Sequence, residues 1–507
     1  MSCKKPTALV ILDGFGYSPN TQNNAIAQGK MPHFNSWMER YPHTLLKASG
    51  QAVGLLDNVI GNSEVGHMTI GAGRIIQQPL TIIHNAITDG SFFENPLLLE
   101  KLAMLKKTGN TLHIMGLLSD AGVHSHTELL YALIKAAVTA GITHIIIHPF
   151  LDGRDVAPRS AQHYMQQLDN YLKTTDCGII GSIHGRFYAM DRDHNWDRTN
   201  LSYQALTQLQ PSTYTTWQEL IKANYAQGIT DEFIVPTQLS PKAVIKQGDG
   251  IIFFNIRPDR ARQLTQAFID PIFKQFPTQH LNLSCFITPV TYGDALKTDV
   301  LFTPPLIKNT LKEVLSDHDK SMLSIAETEK YAHVTYFFAG GKEKIFNTEV
   351  RILIPSVATK SFADFPAMSA PLITQAVIKS LEKAPKCFYL INYANADMVG
   401  HSGDLNATIK AVECLDKELE ELYQVIVEQM DGTLYITADH GKAEQMFDPK
   451  TNQPCTSHTT NPVPFIMLRK DLENKEMALP LTQLADIAPW ILEHMELPVP
   501  DEMKRAK

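Results

Sequence analysis

Short apolar runs alternate with longer amphipathic stretches along most of the chain. The apolar runs predict buried strands at residues 7–12, 111–115, 144–148, 178–183, 250–255, 335–338, 387–393, 434–437 and 464–467. Between them, residues 129–138 and 161–172 carry apolar side chains at helical spacing, and residues 408–430 carry a face of Glu and Lys. Strands that alternate with helices predict an α/β fold, with mostly parallel sheets flanked by helices.

Two proline-containing segments divide this pattern into an outer and an inner part. They are Gln77-Gln78-Pro79 and Thr303-Pro304-Pro305, and each reads as a point where the chain crosses between domains. We therefore expect one domain from residues 1–76 and 306–507, and a second domain from residues 80–302. Residues 77–79 and 303–305 are the expected hinges, which would let a cleft between the domains close.

Composition narrows the class of protein. The 507 residues, with 44% apolar and 19% charged side chains, can form two or three domains with sizeable cores. The formal charge of -8 argues against a nucleic-acid partner. Six scattered cysteines without a CxxC pair suggest reduced thiols in a cytoplasmic protein. No apolar run is long enough for a membrane span, and Asp13 ends the first run too early for a signal peptide.

Acidic residues and histidines follow several of the outer strands. Asp13, Asp397 with His401, and Asp439 with His440 come after three apolar runs, where open α/β sheets bind ligands. A helical turn could bring residues 397 and 401 to one side, and a loop contributes His458. This set suits two divalent cations such as Mn²⁺, Zn²⁺ or Mg²⁺. The alternative for each residue is ordinary: an Asp that caps a helix, or a His that packs.

Ser63 lies in a glycine-bounded segment at the expected start of a short helix. A helix N-terminus favours phosphate or an alkoxide, but serine is a weak nucleophile without a base or a metal. The segment alone favours the other interpretation, in which Ser63 is an N-cap. Lys330 could stabilise an alkoxide or a phosphoryl group, but the sequence alone favours the other interpretation, in which Lys330 forms a solvated pair with Glu329.

The inner part carries arginines just after its predicted strands, at Arg154, Arg186, Arg192, Arg257 and Arg260. Because guanidinium groups bind phosphate and carboxylate with two hydrogen bonds, the set predicts a pocket for a small polyanion. The alternative is that each arginine pairs with a nearby acid, from Asp152, Asp155, Asp191, Asp193 and Asp259. Asp155 and His124 are candidate general bases for a substrate hydroxyl.

With these residues assembled, the chain resembles the cofactor-independent phosphoglycerate mutases, a branch of the alkaline phosphatase superfamily. Ten segments carry the resemblance, in order and over nearly the whole length. They are Leu12-Asp13-Gly14-Phe15-Gly16, Gly61-Asn62-Ser63-Glu64-Val65-Gly66-His67, Ser119-Asp120-Ala121-Gly122-Val123-His124-Ser125-His126, Asp152-Gly153-Arg154-Asp155, Gly185-Arg186-Phe187-Tyr188-Ala189-Met190-Asp191-Arg192, Arg257-Pro258-Asp259-Arg260, Ala326-Glu327-Thr328-Glu329-Lys330-Tyr331, Asp397-Met398-Val399-Gly400-His401, Thr437-Ala438-Asp439-His440-Gly441 and His458-Thr459-Thr460-Asn461-Pro462-Val463-Pro464.

The resemblance implies a phosphatase-like metal domain with an inserted transferase domain, and a monomer. It implies an isomerase of glycolysis and gluconeogenesis that interconverts 3-phosphoglycerate and 2-phosphoglycerate without bisphosphoglycerate. Two Mn²⁺ ions, or other divalent metals, would be held by Asp397, His401 and His458 and by Asp13, Ser63, Asp439 and His440. The substrate would meet His124, Arg154, Asp155, Arg186, Arg192, Arg257, Arg260 and Lys330, with Ser63 as the phosphoserine intermediate and Asp155 as the favoured acid/base.

Two rival functions follow from the same residues. One is a metal-dependent phosphatase or phosphopentomutase of the same superfamily, against which the arginine-bearing insert argues. The other is a metal-stabilised anion-binding protein without turnover. The sequence also departs from the family's usual residues at Phe15, Ala396 and Lys442, where Trp, Pro and Asn are common. None of these three is an expected ligand.

Overall fold

The structure, a computed structural model, describes residues 4–303, 306–448 and 451–504. The chain separates into two compact units, which we call the first unit (residues 1–78 and 306–507) and the second unit (residues 79–305). Pro304 and Pro305, part of the expected second hinge, lie outside the described residues.

The strands are β1 (Thr7–Leu12), β2 (His43–Leu46), β3 (Leu112–Leu118), β4 (Ile145–Leu151), β5 (Ile179–Ile180), β6 (Ser182–Gly185), β7 (Thr237–Gln238), β8 (Gly250–Phe253), β9 (Cys285–Thr288), β10 (Asp299–Val300), β11 (Met322–Glu327), β12 (Glu349–Ile354), β13 (Phe388–Tyr393), β14 (Thr433–Thr437), β15 (Phe447–Asp448), β16 (Gln453–Pro454) and β17 (Val463–Leu468).

The α-helices are α1 (Ala25–Gln28), α2 (Pro32–Arg40), α3 (Ser63–Ala72), α4 (Pro79–Asp89), α5 (Pro96–Thr108), α6 (Thr127–Ala140), α7 (Ala161–Thr175), α8 (Arg186–Ala189), α9 (Trp196–Thr207), α10 (Trp217–Ala226), α11 (Arg262–Ile269), α12 (Leu311–Asp317), α13 (Ala370–Lys383), α14 (Asn395–Gly400), α15 (Leu405–Tyr423) and α16 (Ile487–His494). Two π-helical segments, His333–Phe337 and Gln424–Gln429, and short 3-10 turns such as Thr328–Lys330 complete the helical structure.

The first unit is built on a seven-stranded sheet in the order β12-β11-β13-β1-β14-β17-β2. The strands from β12 to β14 are parallel, whereas β17 and β2 are antiparallel to their neighbours. Strand β1 is buried along almost its whole length, because helices cover both faces of a parallel sheet. This is why its sequence is continuously apolar instead of alternating.

The second unit is built on a sheet in the order β10-β9-β8-β3-β4-β6-β7, with β5 also paired to β4. Every pair is parallel except β6 with β7. Neighbouring residues of a strand point to opposite faces, so that Ile114 and Met115 of β3 enter different apolar clusters. Both sheets confirm the predicted α/β class with mostly parallel strands.

Several predicted elements have different bounds, and one is wrong. Residues 335–338 were expected as a strand but lie in and beside the π-helix His333–Phe337. A continuous apolar run does not distinguish a strand from a buried helix, and here Val334 and Phe338 bury the same side of a helix. The predicted strand 178–183 is two short strands, β5 and β6. The strands that were not predicted are β2, β7, β9, β10, β11, β12, β15 and β16.

Within the described residues, no helix combines the length and the apolar character needed to cross a lipid bilayer. The described cysteines, at positions 177, 285, 387, 414 and 455, are free thiols. Cys3 lies outside the described residues.

A chain of buried polar side chains runs across the second sheet. The His113 ring lies 3.3 Å from Asp249 and 2.9 Å from His148, and Ser182 lies 2.7 Å from both His148 and His184. Burial lowers the pKa of all three imidazoles, that of His184 to about 3. The folded state therefore holds them neutral.

This network predicts that acid destabilises the second unit. The folded pKa values lie below the unfolded value of about 6.5, so below that pH only the unfolded chain gains these protons, and stability falls by up to about 1.4 kcal/mol per pH unit for each imidazole. The urea midpoint of unfolding, followed by circular dichroism, should fall between pH 7.5 and 5.5. The fall should be smaller in His148→Gln than in the exposed control His163→Gln. Equal acid sensitivity in both variants would contradict the assignment.

Candidate functional site

The carboxyl ends of four neighbouring strands of the first unit form one edge of its sheet. In the order β11-β13-β1-β14, they lead into Lys330, Asp397, Asp13 and Asp439 respectively. Strand β17 is antiparallel, so the loop before it, which contains His458, reaches the same edge. Parallel topology therefore gathers residues that lie hundreds of positions apart in the sequence.

Ser63 is the first residue of α3, and Asn62 is its N-cap, with its side chain accepting a hydrogen bond from Val65 N at 3.1 Å. The interpretation of Ser63 as an N-cap is therefore wrong. Its hydroxyl is instead buried in the site, donating to Asp13 Oδ1 at 3.0 Å and lying 3.0 Å from His440 Nε2. Lys330 Nζ donates a hydrogen bond to Ser63 Oγ at 2.8 Å.

Buried negative charge dominates this edge. Asp13, Asp397 and Asp439 are almost completely inaccessible to solvent. Burial alone would raise the pKa of Asp13 and Asp397, but the Lys330 ammonium, 2.7 Å from Asp13 Oδ1 and 2.6 Å from Asp397 Oδ2, holds both well below their usual value. Burial likewise disfavours charge on His440, yet the surrounding carboxylates, Asp439 first, raise its pKa to about 9.

Two groups of side chains here could hold a metal ion. Asp397 Oδ1, His401 Nε2 and His458 Nε2 lie 3.1 Å from one another in every pair. The second group is Asp13, Asp439 and His440, with ligand atoms within 4.8 Å of one another, and His440 also falls within that range of Asp397 and His458. Ligands about 2.1 Å from one ion are separated by about 3 Å, so the first group has the spacing of a coordination shell.

The hydrogen bonding also fits bound cations. Asp397 Oδ1 and Asp439 Oδ2 are buried and, among the described residues, accept no well-directed hydrogen bond. Such orphaned oxygens are costly unless another group pairs with them. His401 Nδ1 lies 2.7 Å from Thr456 O, and His458 Nδ1 lies 2.9 Å from Gly61 O. Because a carbonyl only accepts, each Nδ1 carries the proton, and each Nε2 offers its lone pair towards Asp397.

Three further residues support this edge and were not predicted to have a role. Asn392 and His67 are fully buried behind Asp13 and Ser63. Glu444 accepts hydrogen bonds from Gly16 N, Lys442 N and the Asn461 amide, which ties three loops together. The sequence contained a sign of each. Asn392 is a polar residue in an otherwise apolar strand, His67 follows Ser63 closely, and Glu444 follows His440 closely.

Lys442, the departure nearest to these groups, is fully buried. Its ammonium donates to Cys455 O at 3.1 Å, 3.7 Å from Met446 Sδ, and burial lowers its pKa. The side chain therefore braces the loop before His458.

The arginines of the second unit form a cluster that is interleaved with acids. Arg186 is buried and donates to Asp152 and Asp155, each at 2.6 Å. Burial opposes its charge, but these carboxylates raise its pKa. The pKa of Arg260 is lowered by burial and then by the nearby charges of Arg192, Arg186 and Arg154, as expected where guanidinium groups crowd together. Arg186 therefore pairs with nearby acids, as the alternative interpretation predicted, but it still lies close to the other arginines of the cluster.

Asp259 and His124 lie at the centre of this cluster. Arg192 Nη1 is 2.8 Å and Arg257 Nε is 3.2 Å from the Asp259 carboxylate. His124 Nδ1 and Asp259 Oδ1 are 3.7 Å apart, and both are buried without a well-directed hydrogen bond among the described residues. Burial and the Arg186 charge lower the pKa of His124 to about 4, so its ring is neutral near pH 7. Two unsatisfied buried atoms beside arginines suit a polar anionic ligand.

Arg154 lies at the margin of the cluster. Its side chain is 57% exposed and its Nη1 lies 3.3 Å from Glu232. Asp155 places one carboxylate oxygen on Arg186 and remains partly accessible. The structure thus gathers the predicted residues into two groups: His124, Arg154, Asp155, Arg186, Arg192, Arg257 and Arg260 in the second unit, and Asp13, Ser63, Lys330, Asp397, His401, Asp439, His440 and His458 in the first.

Comparison with known proteins gives consistent relatives. Residues 83–294 match the family described as BPG-independent PGAM N-terminus. A 2,3-bisphosphoglycerate-independent phosphoglycerate mutase of Thermosynechococcus vestitus is 47% identical, over 98% of this chain and 94% of its own length. One from Clostridium perfringens strain SM101 is 45% identical, over 99% of this chain and 98% of its own length.

A solved structure is also similar. It is a Leishmania mexicana phosphoglycerate mutase studied at low cobalt concentration, with a TM-score of 0.73 and 29% sequence identity. The match covers 99% of this chain and 97% of that one. The similarity to these proteins therefore spans both units.

Close packing behind Ser63 predicts that Gly66→Ala disturbs the group of possible metal ligands formed by Asp13, Asp439 and His440. An added Cβ would lie 2.6 Å from Asp439 O and 2.8 Å from Asp439 Cβ, so Asp439 must move. We expect Mn²⁺ affinity, measured by isothermal titration calorimetry, to fall by about tenfold or more. Gly293→Ala is the control, because its Cβ would meet nothing closer than 3.8 Å. Unchanged affinity in Gly66→Ala would contradict a role for Asp439 in cation binding.

Proposed function

This chain belongs to the family of 2,3-bisphosphoglycerate-independent phosphoglycerate mutases, and we propose that it interconverts 3-phosphoglycerate and 2-phosphoglycerate without bisphosphoglycerate. It would act as an isomerase of glycolysis and gluconeogenesis, by intramolecular phosphoryl transfer. One observation carries the proposal: the buried Ser63 hydroxyl lies within 3.0 Å of Asp13, His440 and Lys330. A serine in that setting is suited to hold a phosphoryl group.

The two units take different tasks in this proposal. Residues 1–76 and 306–507 form the phosphatase-like metal domain, and residues 80–302 form the transferase domain that binds the substrate. The division of the chain near residues 78 and 305 supports these limits, as does the separation of the two residue groups. Residues 77–79 and 303–305 are the proposed hinges.

Asp397, His401 and His458 would hold one Mn²⁺ and Asp13, Ser63, Asp439 and His440 the other. When bound, the two cations would lower the pKa of the Ser63 hydroxyl and neutralise phosphoryl oxygens. The mixture of carboxylate oxygens and imidazole nitrogens supports a divalent metal of this kind, and other divalent ions would bind the same set.

In the first half of the reaction, Ser63 Oγ bonds to phosphorus as the bond from phosphorus to the C3 oxygen of glycerate breaks. Lys330 Nζ, already 2.8 Å from Oγ, stabilises the negative charge that develops there. The N-terminus of α3 adds a favourable dipole. The proton that leaves the Ser63 hydroxyl is transferred to the C3 oxygen, which becomes a hydroxyl group.

In the second half, the freed glycerate turns while the arginines hold its carboxylate and hydroxyl groups. Asp155 takes the proton of the C2 hydroxyl, the C2 oxygen bonds to phosphorus, and the bond from phosphorus to Ser63 Oγ breaks. The proton ends on Ser63, which restores the enzyme. His124, neutral near pH 7, is available as a hydrogen-bond partner of the turning substrate. Exclusion of water prevents hydrolysis of the phosphoserine.

We expect the enzyme to act as a cytoplasmic monomer on a small-molecule substrate. Free thiols at the described cysteines and a net charge of -8 support a reducing compartment and a function without nucleic acid.

Replacing the nucleophile tests the reaction directly. Wild type, given 3-phosphoglycerate and Mn²⁺ without bisphosphoglycerate, should form 2-phosphoglycerate, detected by phosphorus NMR. Ser63→Ala should lower the rate about 10³-fold or more. Ser324→Ala, which removes another buried hydroxyl of the same unit, should retain it. Release of inorganic phosphate alone would contradict the mutase, and a surviving rate in Ser63→Ala would contradict the phosphoserine.

The arginine cluster can be tested without removing its charge. Arg260→Lys keeps a cation but loses the fork that binds an anion with two hydrogen bonds, so KM for 3-phosphoglycerate should rise about tenfold or more. Arg159→Lys is the matched control, because the Arg159 guanidinium lies over the Tyr225 ring, 5.3 Å from its centroid, and Arg159 is not among the predicted substrate residues. An unchanged KM in Arg260→Lys would remove Arg260 from the substrate site.

A further inference from the structure

Two buried side chains form a bridge between Asp13 and the backbone of Ser63. Asn392 extends from β13, beside β1, and its Nδ2 lies 2.9 Å from Asp13 Oδ2 and 3.0 Å from His67 Nε2. His67, one turn along α3 from Ser63, places Nδ1 2.9 Å from Ser63 O. Both side chains have no solvent exposure. The bridge therefore joins a strand, a helix and a loop end through four polar groups.

The donors and acceptors of this bridge can have only one arrangement. A carboxylate accepts and does not donate, so the Asn392 amide must turn its NH₂ towards Asp13. Its other hydrogen then points at His67 Nε2, which must be the acceptor. The ring proton consequently lies on Nδ1, and it donates to Ser63 O. Each step is forced by the one before it, which makes the bridge directional and rigid.

The bridge acts on the side of Asp13 that faces away from the reacting atoms. Asp13 Oδ2 is occupied by Asn392, which leaves Oδ1 to meet Ser63 Oγ at 3.0 Å. His67 Nδ1 also lies 3.2 Å from Asp439 Oδ2, the buried oxygen without a well-directed hydrogen bond. One imidazole thus contacts both the backbone of Ser63 and the second carboxylate of the group.

We propose that Asn392 and His67 are positioning residues that set the spacing of Asp13, Ser63 and Asp439, and so the affinity of the cation site these residues form with His440. The inference rests on the proposed function for the assignment of that site. Asn392 and His67 touch neither the phosphoryl group nor the cation themselves. They act by holding one oxygen of Asp13 and the main chain of Ser63 at a fixed separation. The site formed by Asp397, His401 and His458 has no part in the bridge.

The test is a Mn²⁺ titration of the full-length protein, followed by electron paramagnetic resonance of free Mn²⁺. Asn392→Leu keeps the volume of the side chain and removes both hydrogen bonds. It should weaken one of two sites by about 10- to 100-fold and leave the other within about twofold. A His401→Ala background, which disables the other site, should retain the loss. His67→Phe should reproduce it, and the double variant should lose no more than either single variant, because both break the same bridge.

Tyr393→Phe is the matched control, because it removes another fully buried hydrogen bond, to Thr374, from the adjacent position of β13. It should leave both affinities unchanged. Asn392→Ser, which is too short to reach both partners, replaces Asn392→Leu if the latter does not fold. Equal weakening of both sites, multiplicative losses in the double variant, or unchanged affinity would each overturn the inference. If wild type has two Mn²⁺ sites and the variants leave both affinities unchanged, the positioning role is wrong and the proposed function stands. If wild type binds no Mn²⁺, both the positioning role and the proposed function are wrong.

Discussion

Three buried carboxylates at one sheet edge determine what the first unit can bind. Asp13, Asp397 and Asp439 would repel one another and lose hydration, at a cost of several kcal/mol for each uncompensated charge. Two positive charges offset them in part: the Lys330 ammonium, and the imidazolium of His440, whose pKa these carboxylates raise. Neither satisfies Asp397 Oδ1 or Asp439 Oδ2. Negative charge at this edge is therefore not fully compensated by the described residues, and divalent cations would compensate it.

The second unit shows the opposite balance. Guanidinium groups crowd near Arg260 although the whole chain is acidic, and carboxylates such as Asp259 hold them in place. Such pairing orients the arginines at low entropic cost, and a substrate carboxylate or phosphate can then exchange with or add to these contacts. The first unit thus carries a concentration of buried negative charge, and the second carries a concentration of positive charge near Arg260.

Much of this organisation could be predicted from the sequence, for a physical reason. Parallel strands are continuously apolar and their ends are polar, so Asp13, Asp397 and Asp439 could be assigned to one edge from the sequence alone. His401, His458 and the arginines that follow the inner strands could also be identified from their positions, and the family resemblance then added the grouping of the metal ligands and the role of Ser63. The direction of each side chain could not be predicted: Asn62, not Ser63, caps α3, and only the fold shows that this frees the Ser63 hydroxyl.

Other features depend on contacts between distant residues. In the sequence, the π-helix at His333–Phe337 resembles a strand, because its apolar side chains follow neither the helical nor the strand period. The burial of Val334 and Phe338 favours the helix over the strand. Strand β11 was missed because Ser324 and Glu327 interrupt it, yet both are buried and hydrogen bonded. The bridge from Asn392 to His67 joins residues 325 positions apart, which no local pattern could indicate.

In the proposed reaction, Ser63 carries the phosphoryl group between the two oxygens of glycerate. The most direct measurement is to mix the enzyme with 3-phosphoglycerate and Mn²⁺, quench with acid within one turnover, and map phosphorylated peptides by mass spectrometry. We expect a phosphoryl group on Ser63 in the peptide that contains α3. A phosphoryl group on a histidine, or 2-phosphoglycerate formed with Ser63 unmodified at every time point, would contradict it.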